Sequence, residues 1–310
     1  MFIRDNSAWI NKEIAFEVME LKHSSYYERE TQEIARLQKL AAAKSIEAEV
    51  VIEFVKKKKR YGATRLTDSL NKRNVKCSYK KVSAIMSKLQ LVPTGYKKFK
   101  ITTTDSNHKH KVFENLLARN FNVDKPNLAW VGDITYIRTD QGWVYLATVI
   151  DLYSRKVIGH SISSRMTKDL VISALVKAIK SRGYPTGVIV HSDRGSQYAS
   201  NEYKRILKQY NLHGSMSRKG DCWDNAVAES FFASIKKEYI YQTKFVTKVQ
   251  AALGVFDYIE AWYNNERIHS HLGVMSPNEF EQENKDKFIQ KKPIMKAPKN
   301  AKITQLNLCI

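Results

Sequence analysis

Acidic side chains are scarce in this 310-residue chain: 31 Asp and Glu stand against 52 Lys and Arg, leaving a formal net charge of +21. So one-sided a balance argues against the surface of an ordinary small-metabolite enzyme. Cysteine is scarcer still. Cys77, Cys222 and Cys309 form neither a disulfide framework nor the paired spacing of a zinc site, which fits a reducing compartment. His108 and His110 have no cysteine pair to complete a tetrahedral site. Long apolar runs are missing as well. The stretch 144–150 falls far short of the roughly 18 to 20 residues that span a bilayer, and the opening MFIRDNSAW lacks a signal-peptide pattern. The expectation is a cytoplasmic protein with no membrane partner. Its length suggests two or three domains, and 43% apolar residues are enough for real cores.

The positive charge is concentrated. Residues 1–50 carry 7 basic and 9 acidic side chains, whereas residues 51–100 carry 15 basic against 2 acidic. Such a surface attracts a polyanion, and nucleic acid is the usual one. Within it, YGATRLTDSLNKRNVKCSYKKVSAIMSKLQLVP reads as two short helices around a turn near Asn74. Val82, Ile85, Met86 and Leu89 give the second helix one apolar stripe, Ser78 is placed to cap it, and Lys80, Lys81 and Lys88 lie off the stripe. A basic helix pair of this size is the form of a helix-turn-helix, and equally of a plain helical hairpin. Upstream, Ile14, Val18 and Leu21, then Ile34, Leu37 and Leu40, suggest two more helices. The period dissolves after Pro93 into a linker rich in turn-forming residues.

From Leu128 the composition turns strand-like. WVGDITYIRT, GWVYLATVIDLYSR and KVIGHSISS give three neighbouring strands. A helix follows, with Leu170, Ala174, Leu175 and Ala178 on one face and Gly183 where a C-terminal cap belongs. A buried strand ending in HSDRG, a helix (201–210), a short strand near 213–216 and a helix from about 225 to 239 complete a mixed α/β sheet covered by helices.

Three carboxylates interrupt these apolar elements. Asp133 lies within the first strand, Asp193 just past the carboxyl end of the fourth, where open α/β sheets place ligand sites, and Glu229 in the last helix. Each alone reads most simply as a cap or salt-bridge partner. Together they form the donor set for two divalent cations, because hard cations need oxygen ligands and Mg²⁺ commonly takes only one or two carboxylates, leaving room for water and phosphate. Lys236 follows Glu229 by seven residues, nearly two helical turns, so both project from one face about 10.5 Å apart. The lysine can then reach a phosphate beside the metal-bound one. Arg218, Lys219 and Gly220 precede the helix, where backbone donors suit phosphate. Asp224 or Asn225 is placed to cap it, and Asp151 reads as structural.

The interval between Asp193 and Glu229 holds 35 residues. With WVGDITYI (130–137), IDLYSRKVIG (150–159), HSDRGSQY (191–198), SMSRKGDCWDNAVAESFFASIKKE (215–238) and YNNERIHSHLGVMSPNEFE (263–281), the chain resembles the Asp-Asp-Glu transposase and retroviral-integrase superfamily. Within that superfamily it is similar to the second-frame product of IS-three family insertion-sequence transposases. The similarity includes YGATRL (61–66) and spans roughly 14–281.

This resemblance implies an RNase H-like catalytic core with an N-terminal helix-turn-helix region and a C-terminal helical extension. It implies metal-dependent cleavage and strand transfer of the element's ends, with catalytic and metal-binding roles for Asp133, Asp193 and Glu229. It also implies two Mg²⁺ ions, for which Mn²⁺ can substitute, and DNA contact by Lys236. Double-stranded DNA, as terminal repeats and target, is the implied partner of a homo-multimer in the bacterial cytoplasm, associated with the nucleoid. An upstream-frame product is the further partner expected, since relatives add a helix-turn-helix and coiled coil by frameshifting and no leucine heptad occurs here. The rival readings are a noncatalytic DNA-binding regulator and an RNase H-like nuclease without strand transfer.

The expected organisation is an N-terminal helical segment (1–48), a basic DNA-binding domain (49–95), a linker (96–122), a catalytic core (123–242), a helical extension (243–281) and a basic tail (282–310). The extension has Val249, Leu253, Phe256, Ile259 and Trp262 at helical spacing. Tyr263, Asn264, Arg267 and His269 match the family's terminal motif, expected to pack against the catalytic sheet. His160 stands where relatives often have Trp.

Overall fold

The computed structural model describes Gln32 and residues 45–94, 112–218 and 222–288. The expected helices around Ile14–Leu21 and Ile34–Leu40, together with Lys219, Gly220 and the tail beyond 288, lie outside the described residues. The chain divides into two compact units, Met1–Pro93 and Thr94–Ile310.

The first unit is helical. Residues 45–56 form α1, Ala63–Lys72 form α2 and Tyr79–Lys88 form α3. Val50 and Phe54 of α1, Leu66 and Leu70 of α2, and Val82, Ile85 and Met86 of α3 make its core, with Tyr61 fully buried between helices α1 and α2 in the chain. Asn74 turns the chain at φ 63°, a left-handed conformation that asparagine tolerates. Ser78 caps α3 by accepting the Lys81 amide at 3.3 Å. Glu53, only 1% exposed, accepts from Ser69 Oγ at 2.6 Å and from Arg73 Nη1 at 2.7 Å, tying α1 to the end of α2. Lys80 and Lys81 are exposed, whereas Lys88 Nζ meets Glu47 Oε1 at 2.7 Å.

The second unit is built on a five-stranded sheet of order β3-β2-β1-β4-β5, formed by β1 (Ala129–Thr139), β2 (Gly142–Asp151), β3 (Val157–Ser163), β4 (Ile189–Ser192) and β5 (His213–Met216). β1, β2 and β3 are an antiparallel meander; β4 and β5 add in parallel. Helix α4 (Lys168–Ser181) lies on one face, burying Leu170, Ala174, Leu175 and Ala178 against Trp130, Ala147, Val149 and Ile158. Gly159 permits that approach, because a Cβ there would stand 2.3 Å from the Ala174 carbonyl oxygen. The short helix α5 (Ser196–Ala199) and α6 (Asn201–Gln209) link β4 to β5. Helix α7 (Ala226–Glu238) packs on β1, and α8 (Lys248–Asp257) on β1 and β2.

Residues 112–122, which composition placed in the linker, lie along this unit. Ser215 Oγ accepts the Leu116 and Leu117 amides, and Asn115 and Arg119 both bond the Asp224 carboxylate. Polar, turn-rich composition identifies irregular backbone but not what that backbone is tied to.

The terminal motif fastens the extension to the core. After α8 the chain continues as a π-helical turn, Tyr258–Tyr263. Asn264 then mimics a strand at the sheet edge, its Oδ1 accepting the Val157 amide (3.1 Å) and its Nδ2 donating to the Val157 carbonyl (3.0 Å). Glu238, at the end of α7, accepts from Tyr258 Oη, Trp262 Nε1 and Arg267 Nε at 2.8, 3.2 and 3.0 Å. Helix α9 (Pro277–Glu283) brings Glu281 to Ser154, Lys156 and Arg182. His160 also has a partner: its Nε2 lies 3.1 Å from Glu260 Oε1, with the ring against Phe256.

Candidate active site

Strand pairing opens the site. β4 accompanies β1 only from Ala129 to Val131, so beyond Val131 no strand among the described residues lies beside that edge of β1. Asp133 falls two residues past the last pair, and Asp193 immediately follows β4. Both line one cleft, with Thr135, Tyr136, Tyr145, Met166, Gly195 and Gln197 among its other walls. Each carboxylate is fixed from its own backbone: Asp133 Oδ1 accepts the Ile134 amide at 2.8 Å, and Asp193 Oδ1 accepts the Gly195 amide at 3.0 Å. A Cβ at Gly195 would sit 3.0 Å from that Asp193 oxygen.

Burial, then the charges of Asp193 and Glu229, push the Asp133 carboxyl well above the usual carboxylate range; the Ile134 amide and the Lys236 ammonium oppose them. Glu229 projects from the first turn of α7, exposed, and does not line the cleft. Burial raises its carboxyl as well. Among the described residues no three His, Cys, Asp or Glu side chains stand close enough to hold one ion together. Lys236 is half-buried, its Nζ 5.0 Å from the centre of the Tyr136 ring. Burial lowers its ammonium while the Asp133 charge counters that.

Tyr198 and His191 have no functional role legible in the sequence. Tyr198, the last residue of HSDRGSQY, is 3% exposed, and its hydroxyl is a buried polar atom with no hydrogen-bond partner among the described residues. Burial raises its phenol, and the charges of Asp133 and Asp193 add to that. His191, fully buried in β4, lies 2.8 Å from Ser215 Oγ and 3.1 Å from Ser217 Oγ; burial takes it down to about 4, so it is neutral at pH 7. Asp224 does not cap α7. Its buried carboxylate accepts from the Arg218 amide and guanidinium and from Arg119, which hold it below the usual range against the cost of burial. Arg218 is thus drawn into the loop before α7 while its side chain stays 57% exposed. Asp151 is clamped by the Tyr153 and Asn127 amides and by Arg182, a structural position.

Family models match this architecture in three places: an HTH-like domain over residues 42–99 and an integrase core domain over residues 123–222 and again over 229–284. Transposase InsF for insertion sequence IS3A of Escherichia coli is 42% identical over 287 residues, covering 92% of this chain and 98% of that protein. The chain belongs to the IS3 family of insertion-sequence transposases. It is therefore a DNA transposase, an enzyme of the Asp-Asp-Glu type, in which a helix-turn-helix unit precedes an integrase-like catalytic core. An insertion element IS600 uncharacterized 31 kDa protein of Shigella sonnei is 38% identical, covering 76% of the transposase and 86% of that protein. The HTLV-2 integrase catalytic core domain, solved in complex with magnesium, superposes with a TM-score of 0.40 at 18% identity, covering 51% of the transposase and 99% of that chain. No helix among the described residues of the transposase is long and apolar enough to cross a membrane.

Proposed function

We propose that the transposase cuts and joins the ends of its element at the cleft between Asp133 and Asp193, with Glu229 as the third carboxylate. One observation carries this reading: two carboxylates fixed by their own backbone line one cleft, and the charges of Glu229 and Lys236 converge on the first of them. The donor chemistry fits a hard cation. Crowded carboxylates and the orphaned Tyr198 hydroxyl beside them are groups that an ion and its waters would satisfy.

Asp133, Asp193 and Glu229 would hold two Mg²⁺, or Mn²⁺ in their place. The ions would supply Lewis acidity for the attacking and leaving oxygens. Asp133 and Asp193 set the position of the reacting phosphate, and Lys236 neutralises the phosphate next to it. Water attack breaks the P–O3′ bond of a phosphodiester at the element end, leaving a 5′-phosphate on one side and a free 3′-hydroxyl on the other; that hydroxyl attacks a second phosphodiester in line, forming a new P–O bond as the attacked strand's own 3′-oxygen leaves. No side chain acts as nucleophile, so positioning and charge neutralisation carry the catalysis. The basic face of the first unit, with Lys80, Lys81 and Lys88, engages the duplex, and Arg218 and Lys219 the DNA near α7. The transposase works as a homo-multimer on paired ends, joins them into a circle first and acts with an upstream-frame product in the cytoplasm, at the nucleoid.

Labelled element ends, target DNA and Mg²⁺, incubated with wild type and with Asp193→Asn, test this. Joined product from wild type alone is the expected result. Binding without cleavage by wild type would leave only a regulator. Cut DNA without a joined species would leave a nuclease.

A further inference from the structure

Beyond the carboxylates, β1 and β2 continue as a hairpin whose surface alternates cations and rings. Side chains two apart on a strand share a face, so Tyr136 and Arg138 point the same way. Arg138 stands opposite Trp143 in the strand register, and Tyr136 opposite Tyr145. The contacts form a row: Lys236 Nζ is 5.0 Å from the Tyr136 ring centre, the Tyr136 and Trp143 rings meet edge-to-face at 5.1 Å, and the Arg138 guanidinium carbon is 5.5 Å from the Trp143 ring centre. Trp143 is 41% exposed. The row starts at the cleft, because Tyr136 lines it and Lys236 is felt at Asp133. Among the described residues no strand accompanies β1 there on the β4 side.

We propose that Tyr136 and Trp143, flanked by Lys236 and Arg138, form a stacking platform for unpaired DNA bases adjacent to the scissile phosphate. This rests on the cleft being where the phosphodiester is cut. A paired duplex hides its base faces and presents phosphates and groove edges. An exposed ring can stack only on a base that has left its partner. Rings interleaved with cations are the combination that binds single strands, the rings taking bases and the cations phosphates. The platform therefore favours a frayed end and keeps it open at the point of cleavage. A protein surface also uses Trp and Arg, but this row begins inside the site that receives the phosphate.

The test uses full-length protein and two short duplexes of one sequence, one fully paired and one with mismatches at the last few positions, with Ca²⁺ replacing Mg²⁺ so that binding is read without chemistry. Wild type should bind the mismatched end roughly ten-fold tighter, and Trp143→Ala should erase that preference while paired-duplex affinity stays within about two-fold. Trp143→Phe should keep part of it. Equal binding of both duplexes by wild type, or an undiminished preference in Trp143→Ala, overturns the platform. Should Trp143→Ala fail to fold, unaltered protein decides: 5-iodouracil in the unpaired segment should crosslink to Tyr136 or Trp143, and crosslinking only elsewhere rejects the proposal. Joining, read separately in Mg²⁺, keeps the two readings apart. Joining without mismatch preference sinks only the platform, and preference without joining sinks only the catalytic assignment.

Discussion

Asp133 occupies a position that folding alone would not choose. Burial and two neighbouring carboxylates disfavour its charge, and Lys236 offsets them only partly. Two consequences follow for a single substitution. Asp133→Asn removes the repulsion, so the metal-free protein should melt a few degrees higher than wild type. The same change removes a proposed ligand, so added Mg²⁺ should raise the wild-type melting temperature and leave the variant nearly unmoved. Thermal scans with and without Mg²⁺ decide it; a variant less stable than wild type in the metal-free state would show that Asp133 is a structural carboxylate. Sequence made Asp133, Asp193 and Glu229 legible because a charged residue inside an apolar element is conspicuous. Tyr198 was not, since a tyrosine in an amphipathic stretch reads as core and only packing reveals a hydroxyl with nothing to bond. Arg218 was legible as a basic residue near the site, but its engagement with Asp224 needs coordinates, as the two are brought together by the loop before α7.

Among the elements, the C-terminal extension shows how polar clips fix the helix that carries Glu229. Glu238 ends the helix that carries Glu229 and Lys236, and Arg267, Tyr258 and Trp262 hold it from the extension. Glu281 forms the second clip. Although burial works to raise its carboxyl, Arg182, Lys156 and the Ser154 hydroxyl outweigh that and hold it below the usual range. A carboxyl depressed by folding adds stability that is present above its unfolded value, about 4.3, and is lost as pH falls through the lower folded value. Glu281→Gln should therefore cost about 1 to 3 kcal/mol at neutral pH and flatten the acid side of the melting profile, measured by thermal scans across pH. A parallel acid limb in the variant would show that other carboxylates govern it. The order of elements was legible from period and turn residues. The face of α8 was not: Val249, Leu253 and Phe256 are exposed at 41, 66 and 55%, while Ala251, Val255, Ile259 and Trp262 are buried. Inside α8 the three-residue step from Leu253 to Phe256 lags the helix by about 60°, and Ile259 and Trp262 follow in the π-helical turn, whose winding differs, so the apparent stripe does not stay on one face.

At the scale of the molecule, charge is divided between tasks. The densest positive charge lies in residues 51–100, with 15 basic against 2 acidic side chains, and the second unit holds the acids proposed to meet phosphate. DNA affinity should then fall steeply with salt, because each phosphate neutralised releases counterions and contributes a slope of about −0.9 in log affinity against log salt. The lysines of α3 are not equivalent in this respect. Lys80 and Lys81 are exposed, whereas Lys88 meets Glu47 at 2.7 Å, and displacing that carboxylate offsets whatever a phosphate would add. Replacing both Lys80 and Lys81 by Ala should reduce the slope by about 1 to 2 and weaken paired and mismatched duplexes alike, while Lys88→Ala should change it by less than half of that. Binding isotherms at several salt concentrations measure both. An equal loss from Lys88→Ala would mean that DNA displaces Glu47 and that all three lysines of α3 face the backbone. An unchanged slope for the double variant would move the duplex contact off this helix.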